Sequence, residues 1–314
     1  MLVLLAISVP SPALSQTYPN KPVRLLVGFA PGGIADTMTR ILASKLTEAW
    51  SMAVQVENRP GAGGSIAAGI AAKAPADGYT LMSCDVATHA IDAVIYSNLP
   101  YDPLKDFVAI THIGSAPNVL VVGSSVDLHS LADFLAYAKA NPGRLSVASA
   151  DAGSSQNLST HLLKHMAAID IVPIPYKGGG PAMTDLLGGQ VPSAFAALST
   201  AMAAIKSGKA RALGVTSLKR SPQVPDVPAI AEVVPGYSVT SWRGICAPAG
   251  LSNQLALKIY GDVKQAVESA EVRQSYAKLG IDAEAMAPEQ FQQHIKSEIE
   301  KWRPVVKAAG IASQ

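Results

Sequence analysis

Short runs of aliphatic and β-branched residues alternate along this chain with stretches in which apolar residues recur at helical spacing. The runs that predict strands are residues 23–29, 54–57, 80–84, 145–148, 171–174, 194–197 and 210–216. Helical spacing fills intervals such as 130–140 and 181–187, and it dominates the last quarter at 253–269, 272–279 and 288–309. This alternation predicts an α/β fold made of βαβ units with largely parallel sheets.

Two features suggest how the chain is divided. Residues 118–123 form a strand-like run that leaves one lobe for another, and the proline-dense segment 221–228 precedes a predicted return strand at 237–247. We therefore predict a first domain made of residues 16–120 and 233–314 and an inserted second domain of residues 121–232. The ligand cleft is expected between them.

Two predicted strand-to-helix turns have the composition of backbone pockets for an anion. The first contains Pro31-Gly32-Gly33, and the second runs from Asp151 to Ser155. The start of a helix leaves amide N–H groups unpaired, and the helix dipole adds partial positive charge there, so each turn can hold an oxygen anion. Two such turns from separate lobes predict non-covalent capture of one ligand between them.

Other chemistries fit these residues less well. Pro31-Gly32-Gly33 lacks the Lys-Ser/Thr ending of a nucleotide-binding loop. The turn at 61–66 has isoleucine where a dinucleotide fingerprint needs its third glycine, which favours tight helix–strand packing there. Asp36 has two interpretations that stay open: it complements the dipole of its helix, or it accepts a hydrogen bond from the ligand.

No metal site and no catalytic residue is predicted. His161 and His165 have the spacing of helical metal ligands, but Lys164 lies between them and the glutamate of a zinc motif is missing. Ser154 and Ser155 have no nucleophile elbow around them, so they are expected to cap a helix or donate to a ligand oxygen. A third turn, at 176–180, offers the positive charge of Lys177.

Composition narrows the class of protein further. Of 314 residues, 49% are hydrophobic and 15% are charged, with a net charge of +2, which indicates a globular protein and argues against a nucleic-acid partner. Residues 1–15 are uncharged, contain an apolar core at residues 2–9 and end at a small-residue cleavage site, so we predict a signal peptide and a soluble periplasmic protein. Cys84 and Cys246 can pair in that compartment, but isolated cysteines in apolar runs favour buried free thiols.

Several short motifs are spread along the whole predicted mature chain. They are Tyr18-Pro19-x-Lys21-Pro22, Phe29-Ala30-Pro31-Gly32-Gly33-x-x-Asp36, Glu57-Asn58-Arg59-Pro60-Gly61-Ala62-Gly63-Gly64, Ala76-Asp77-Gly78-Tyr79-Thr80-Leu81, Pro100-Tyr101-Asp102-Pro103, Pro175-Tyr176-Lys177-Gly178, Pro225-Asp226-Val227-Pro228 and Ala247-Pro248-Ala249-Gly250. Together they resemble the motifs of the Bug family, the extracytoplasmic solute receptors of tripartite tricarboxylate transporters. The resemblance implies a two-lobed periplasmic-binding-protein fold of the Venus flytrap type (type II-like), with two crossing hinge strands.

The resemblance also implies a function and a site. A monomeric, non-enzymatic receptor without cofactor or metal would bind a small carboxylate and deliver it to the membrane permease subunits of such a transporter. The alternative is a ligand-sensing receptor for a membrane signalling partner. The positions implied to bind the ligand are Phe29, Gly32, Gly33, Asp36, Ala152, Gly153, Ser154, Ser155, Tyr176, Lys177 and Gly178.

The chain departs from the family pattern at the second turn. Asp151 replaces the first glycine that is usual there, and Asn157 stands where histidine is common. A carboxylate beside an anion pocket lowers affinity unless it points away or meets a cation of the ligand. We therefore expect the second turn to decide which ligand is bound.

Overall fold

The computed structural model describes residues 18–150, 154–308 and 310. The predicted signal peptide and three positions of the second turn, Asp151, Ala152 and Gly153, lie outside the described residues. The strands are β1 (Val23–Val27), β2 (Val54–Asn58), β3 (Thr80–Asp85), β4 (Phe107–Gly123), β5 (Ser146–Ser149), β6 (Val172–Pro175), β7 (Ser193–Ala197), β8 (Ala210–Val215) and β9 (Thr240–Pro248). The α-helices are α1 (Ile34–Trp50), α2 (Ser65–Ala72), α3 (Asp92–Ile95), α4 (Leu131–Ala140), α5 (Ser155–Ala167), α6 (Gly179–Leu187), α7 (Leu198–Lys206), α8 (Asn253–Glu268), α9 (Ala270–Lys278) and α10 (Pro288–Ala308).

The long strand β4 belongs to two sheets. Its first part pairs with β9 in a sheet of order β2-β1-β3-β9-β4, and we call this sheet with its helices the first lobe. Its last part, from Asn118, pairs with β7 and β8, and β7 continues into β5 and β6; we call this the second lobe. The chain returns through the segment before β9, where the Val239 N–H donates to the Thr216 carbonyl at 2.8 Å. The expected α/β fold with two lobes and two crossings is therefore present.

Strand direction places the functional edges of the two lobes opposite each other. β4 runs from the first lobe to the second, and β9 is antiparallel to it. Because β3 is antiparallel to β9 and parallel to β1, both of these strands point toward the second lobe. In the second lobe, β7 is antiparallel to β4 and parallel to β5, so β5, β6 and β7 point back toward the first lobe. The carboxyl ends of both sets of strands, where α/β proteins bind ligands, thus face one another.

The first lobe is a sheet covered on both faces. On one face α1 packs through Met38, Leu42 and Leu46, which are spaced four residues apart and fully buried, together with α8 and α9. On the other face α10 packs against the fully buried Trp242, whose ring lies 5.6 Å from that of Phe291. Trp242 is therefore a core residue and does not line a cleft.

The glycine-rich turn at 61–64 is a close approach of backbone to backbone. A Cβ atom on Gly28 would lie 2.7 Å from the Gly64 Cα, and one on Gly64, whose φ is +103°, would lie 2.7 Å from the Thr88 methyl group. Neither position has room for a side chain. The expectation that this turn serves tight helix–strand packing is confirmed.

The expectation that Cys84 and Cys246 are free thiols is wrong. The two residues lie on the neighbouring strands β3 and β9, with their Cα atoms 6.0 Å apart, and they form a buried disulfide. Their separation of 162 residues concealed this pairing, because only the register of β3 and β9 brings them together.

None of the helices in the described part of the chain is long and apolar enough to cross a membrane.

A buried carboxylate lies next to the glycine-rich turn at 61–64. Asp92, at the start of α3, is 5% exposed and accepts a hydrogen bond of 2.9 Å from the Ser65 hydroxyl at the start of α2. Burial raises the pKa of Asp92 to about 7, although the bond from Ser65 lowers it and the nearby Asp85 raises it further. The folded protein therefore holds the proton of this group more tightly than the unfolded chain does.

The Asp92→Asn variant is expected to be more stable than the wild type at pH 8 and equally stable at pH 4. Because the folded pKa lies above the unfolded value of about 3.9, stability falls as pH rises between about 4 and 7. An asparagine oxygen keeps an acceptor for Ser65 but carries no charge to bury. Urea denaturation at several pH values measures the difference, and equal stabilities at pH 8 would contradict the burial argument.

Candidate functional site

The first turn exposes the backbone at the start of α1. Residues 30–33 are exposed, and no side chain caps the helix at Gly33. Gly32 has a φ of +83°, which a residue with a side chain adopts only with strain. The N–H groups of the first turn of α1 are therefore presented at the edge that faces the second lobe, with the positive end of the helix dipole behind them.

Asp36 fixes the conformation of this turn. One of its oxygens accepts hydrogen bonds from the Gly32 N–H at 2.9 Å and from the Arg40 guanidinium, and the other accepts from the Asn58 amide at 2.8 Å. The Asn58 amide also donates to the Phe29 carbonyl at 3.0 Å, so the same group ties both ends of the turn together.

The charge of Asp36 is already satisfied within the protein. Burial raises the pKa of this carboxyl, but the hydrogen bonds from Arg40, Gly32 and Asn58 outweigh burial and lower the pKa to about 2. A carboxylate held in this way repels an incoming anion less than a free one does. Of the two interpretations left open by the sequence, the geometry favours a residue that positions the turn.

The second turn begins α5 with two hydroxyl groups. The Ser154 Oγ caps the helix by accepting a hydrogen bond from the Asn157 N–H at 3.2 Å. Ser155 accepts a bond of 3.2 Å from the side-chain amide of Asn118, which is the residue of β4 where pairing passes to the second lobe. A capping hydroxyl still carries a proton that it can donate to a ligand oxygen.

The third turn lies beside the second. Ser149 at the end of β5 pairs with Pro175 at the end of β6, and its carbonyl accepts a bond of 2.9 Å from the Tyr176 N–H. The Tyr176 hydroxyl donates to Asp185 at 2.8 Å, which occupies it. Lys177 is exposed, and Gly178, with a φ of +97°, begins α6 without a side-chain cap. This turn thus offers backbone N–H groups and a surface cation.

Asn118 and Asn58 are site residues that sequence reasoning missed as functional groups. Asn118 connects the crossing strand to α5, since its amide also reaches the Ser159 Oγ at 3.3 Å. Asn58 connects β2 to the first turn. Asn58 is part of a motif quoted for the family resemblance, and its position directly after a predicted strand is the only sequence signal that could have pointed to it.

The described residues contain one cluster of potential metal ligands. The sulfur atoms of Cys84 and Cys246 and a ring nitrogen of His89 lie within 4.8 Å of one another. Because the disulfide occupies both sulfur atoms, no thiolate is left there for a metal ion.

The protein has two α/β lobes joined by crossing strands, and helix starts of both lobes face one another at the carboxyl ends of the strands. This is the architecture of a solute-binding receptor. The sequence comparison agrees. Residues 38–311 match the model of the tripartite tricarboxylate transporter family receptor, TctC. The chain belongs to this family of receptors, and it is a binding protein and not an enzyme.

Relatives extend this assignment over almost the whole chain. The protein BugT of Bordetella pertussis is 36% identical over 302 residues, which cover 96% of this chain and 93% of BugT. Among solved structures, that of R. palustris Rpa4515 with adipate is 34% identical, with a TM-score of 0.76, and covers 95% of this chain and 100% of its own. MatC from Rhodopseudomonas palustris with bound malate is 31% identical, with a TM-score of 0.72, and covers 92% and 100%.

Proposed function

We propose that this chain is a periplasmic receptor that captures a small carboxylate-bearing solute between its lobes and delivers it to the permease subunits of a tripartite tricarboxylate transporter. The observation that carries this proposal is the position of the exposed, uncapped start of α1 opposite the hydroxyl-bearing start of α5. Rpa4515 with adipate and MatC with malate support a carboxylate as the ligand.

Each turn has a distinct role in this proposal. The turn that contains Phe29, Gly32 and Gly33 binds one ligand carboxylate from the first lobe through the N–H groups at the start of α1. Asp36 occupies the Gly32 N–H and holds that turn in shape. Ala152, Gly153, Ser154 and Ser155 bind the same carboxylate from the second lobe. Tyr176, Lys177 and Gly178 approach the ligand from the neighbouring turn.

We further propose the domain limits expected from the sequence: residues 16–120 with 233–314 form the first domain, and residues 121–232 form the second. Residues 1–15 direct export, and the protein acts as a monomer. The change of pairing partner within β4 at Asn118 supports a hinge close to the first limit. Closure about such a hinge would be favoured by a ligand that contacts both lobes, because that ligand binds the closed state more tightly.

Isothermal titration calorimetry with a panel of small carboxylates tests the proposal. Succinate, glutarate, adipate, malate, butyrate, pentanoate, hexanoate and 3-hydroxybutyrate form the panel, and at least one should bind. The bound acid should also raise the melting temperature, since a ligand at about 100 times its Kd stabilises the folded state by about 2.7 kcal/mol.

The Ser154→Ala variant should lower the affinity for the bound acid by about 10-fold, because one hydrogen bond to a charged oxygen is lost. Ser252→Ala is the matched control: Ser252 caps α8 in the same way, through the Leu255 N–H, but lies on a helix of the first lobe's outer face. Both variants lose a helix cap, so a difference between their affinities for the acid reports the role of Ser154 in binding. A wild-type protein that gives neither heat nor a thermal shift with any acid of the panel contradicts the proposal.

A further inference from the structure

Arg243 lies near the start of β9, close to the point where the chain crosses between the lobes. It pairs with Asp85, the last residue of β3, and with Gly114 of β4. It therefore stands at the same edge of the first lobe as the Pro31-Gly32-Gly33 turn, the edge that faces the second lobe. Arg243 does not belong to any of the three turns proposed to bind the ligand.

The side chain of Arg243 lies on the α1 face of the sheet. Trp242 packs toward α10, and alternation along a strand sends Arg243 to the opposite face. There it interacts with Tyr276 of α9, whose hydroxyl donates to the Met38 carbonyl of α1 at 3.1 Å. Arg243 thus shares a face with the helix whose start forms the first turn.

The guanidinium of Arg243 has few partners within the protein. Its Nε is buried without a hydrogen-bond partner, and its Nη1 donates to the Ser241 Oγ over 3.4 Å, which is a long bond. Among the described residues, no carboxylate oxygen lies within 4.0 Å of its nitrogen atoms. Burial lowers the pKa of Arg243, and the negative charge of Asp85 opposes this.

Asp85 forms no ion pair with Arg243, and one of its carboxylate oxygens is held by Thr88 instead. The Asp85 Oδ1 accepts hydrogen bonds from the Thr88 N–H at 2.9 Å and from the Thr88 hydroxyl at 3.1 Å. A guanidinium with an unpaired buried donor is unfavourable, and an anion bound at its other nitrogen atoms would offset part of that cost.

An anion could reach this arginine from between the lobes. Although β9 is an inner strand of its sheet, Arg243 and Ser241 are partly accessible, and so is Ala116, which pairs with Ser241 on β4. All three lie on the α1 face at the point where the strands cross. These partly accessible positions lie beside the edge where the turns of both lobes face each other.

We propose that Arg243 is a specificity-determining residue that binds a second anionic group of the ligand, separate from the carboxylate held by the two turns. This inference rests on the proposed function and adds to it a requirement for charge at both ends of the ligand. The planar guanidinium offers a pair of parallel donors that matches the geometry of a carboxylate.

Calorimetry with matched pairs of acids tests this role. Succinate, glutarate, adipate and malate are each compared with butyrate, pentanoate, hexanoate and 3-hydroxybutyrate, which lack one carboxylate. The wild type should prefer the diacid of each pair that it binds. Arg243→Gln should lower the affinity for that diacid by about 10- to 100-fold and change that for the monoacid by less than about 3-fold.

Three further variants separate recognition from folding. Arg243→Lys keeps the charge and should retain part of the preference, and it serves as the test if the glutamine variant does not fold. Asp85→Asn removes the competing negative charge and should leave the diacid affinity unchanged or higher. Arg273→Gln, at an exposed position on α9, should change neither affinity.

The outcomes distinguish this inference from the function on which it rests. Equal effects of Arg243→Gln on diacid and monoacid, or none on either, would assign the residue a structural role and overturn the inference alone. A wild type that prefers monoacids would do the same. A wild type that binds no acid of the panel would overturn the inference together with the proposed function.

Discussion

Asp36→Ala is expected to lower the affinity for a bound carboxylate on the order of 100-fold and to destabilise the first lobe. Without the carboxylate, the Gly32 N–H and the Asn58 amide lose their acceptor, and the turn is no longer held in one conformation. The free energy of unfolding should fall by about 2–4 kcal/mol. This value includes little from the ion pair with Arg40, because Arg40 is half-exposed and solvent screens the pair. Calorimetry measures the affinity and urea denaturation the stability.

Two comparison variants sharpen the Asp36 experiment. Asp36→Asn keeps an oxygen for the Gly32 N–H but loses the charge, so it should fall between the alanine variant and the wild type. Asp133→Ala removes an exposed aspartate from the first turn of α4, where it accepts from the His129 N–H. It should leave affinity unchanged. Unaltered carboxylate binding in Asp36→Ala would contradict the claim that this residue shapes the site.

Removal of the disulfide is expected to cost the protein about 2–5 kcal/mol of stability. The bond closes a loop of 162 residues between β3 and β9, and its loss gives the unfolded chain more conformational freedom. The Cys84→Ala/Cys246→Ala double variant should therefore melt roughly 5–15 °C lower than the oxidised wild type, as followed by circular dichroism. Alanine suits both positions because they are fully buried.

The reduced wild type provides the control for the disulfide experiment. A dithiol reductant that lowers the melting temperature of the wild type should have no effect on the double variant, which has no cysteine left. Both cysteines belong to the first lobe, where the bond links β3 to β9. A double variant as stable as the oxidised wild type would show that the pairing of β3 and β9 does not depend on the disulfide.

Local patterns were enough to predict most of the elements. The helix predicted at 253–269 is found as Asn253–Glu268 and the strand at 54–57 as Val54–Asn58, because each pattern contains its own periodicity and ends. The strand at 118–123 proved to be only the last part of β4. Its first part was missed because polar residues and Gly114 interrupt the apolar run. Two irregularities in the pairing with β9 also disturb the alternation of this part of the strand.

The candidate site divides in the same way between local and distant information. Pro31-Gly32-Gly33 could be read from the sequence because the turn, the strand before it and the helix after it are contiguous. The roles of Asn58 and Asn118 depend on contacts with residues 22 and 37 positions away, and pairing register decides these. The same applies to Arg243, which meets Asp85 only because β9 returns beside β3.

A crystal structure with the most tightly bound acid of the panel tests most directly whether both lobes hold one carboxylate. The predicted result is a carboxylate with one oxygen about 2.7–3.2 Å from a backbone N–H of the first turn of α1. Its other oxygen should lie at the same distance from a donor at the start of α5, either a backbone N–H or the hydroxyl of Ser154 or Ser155. A carboxylate that contacts only one lobe, or that binds away from both helix starts, would contradict the account.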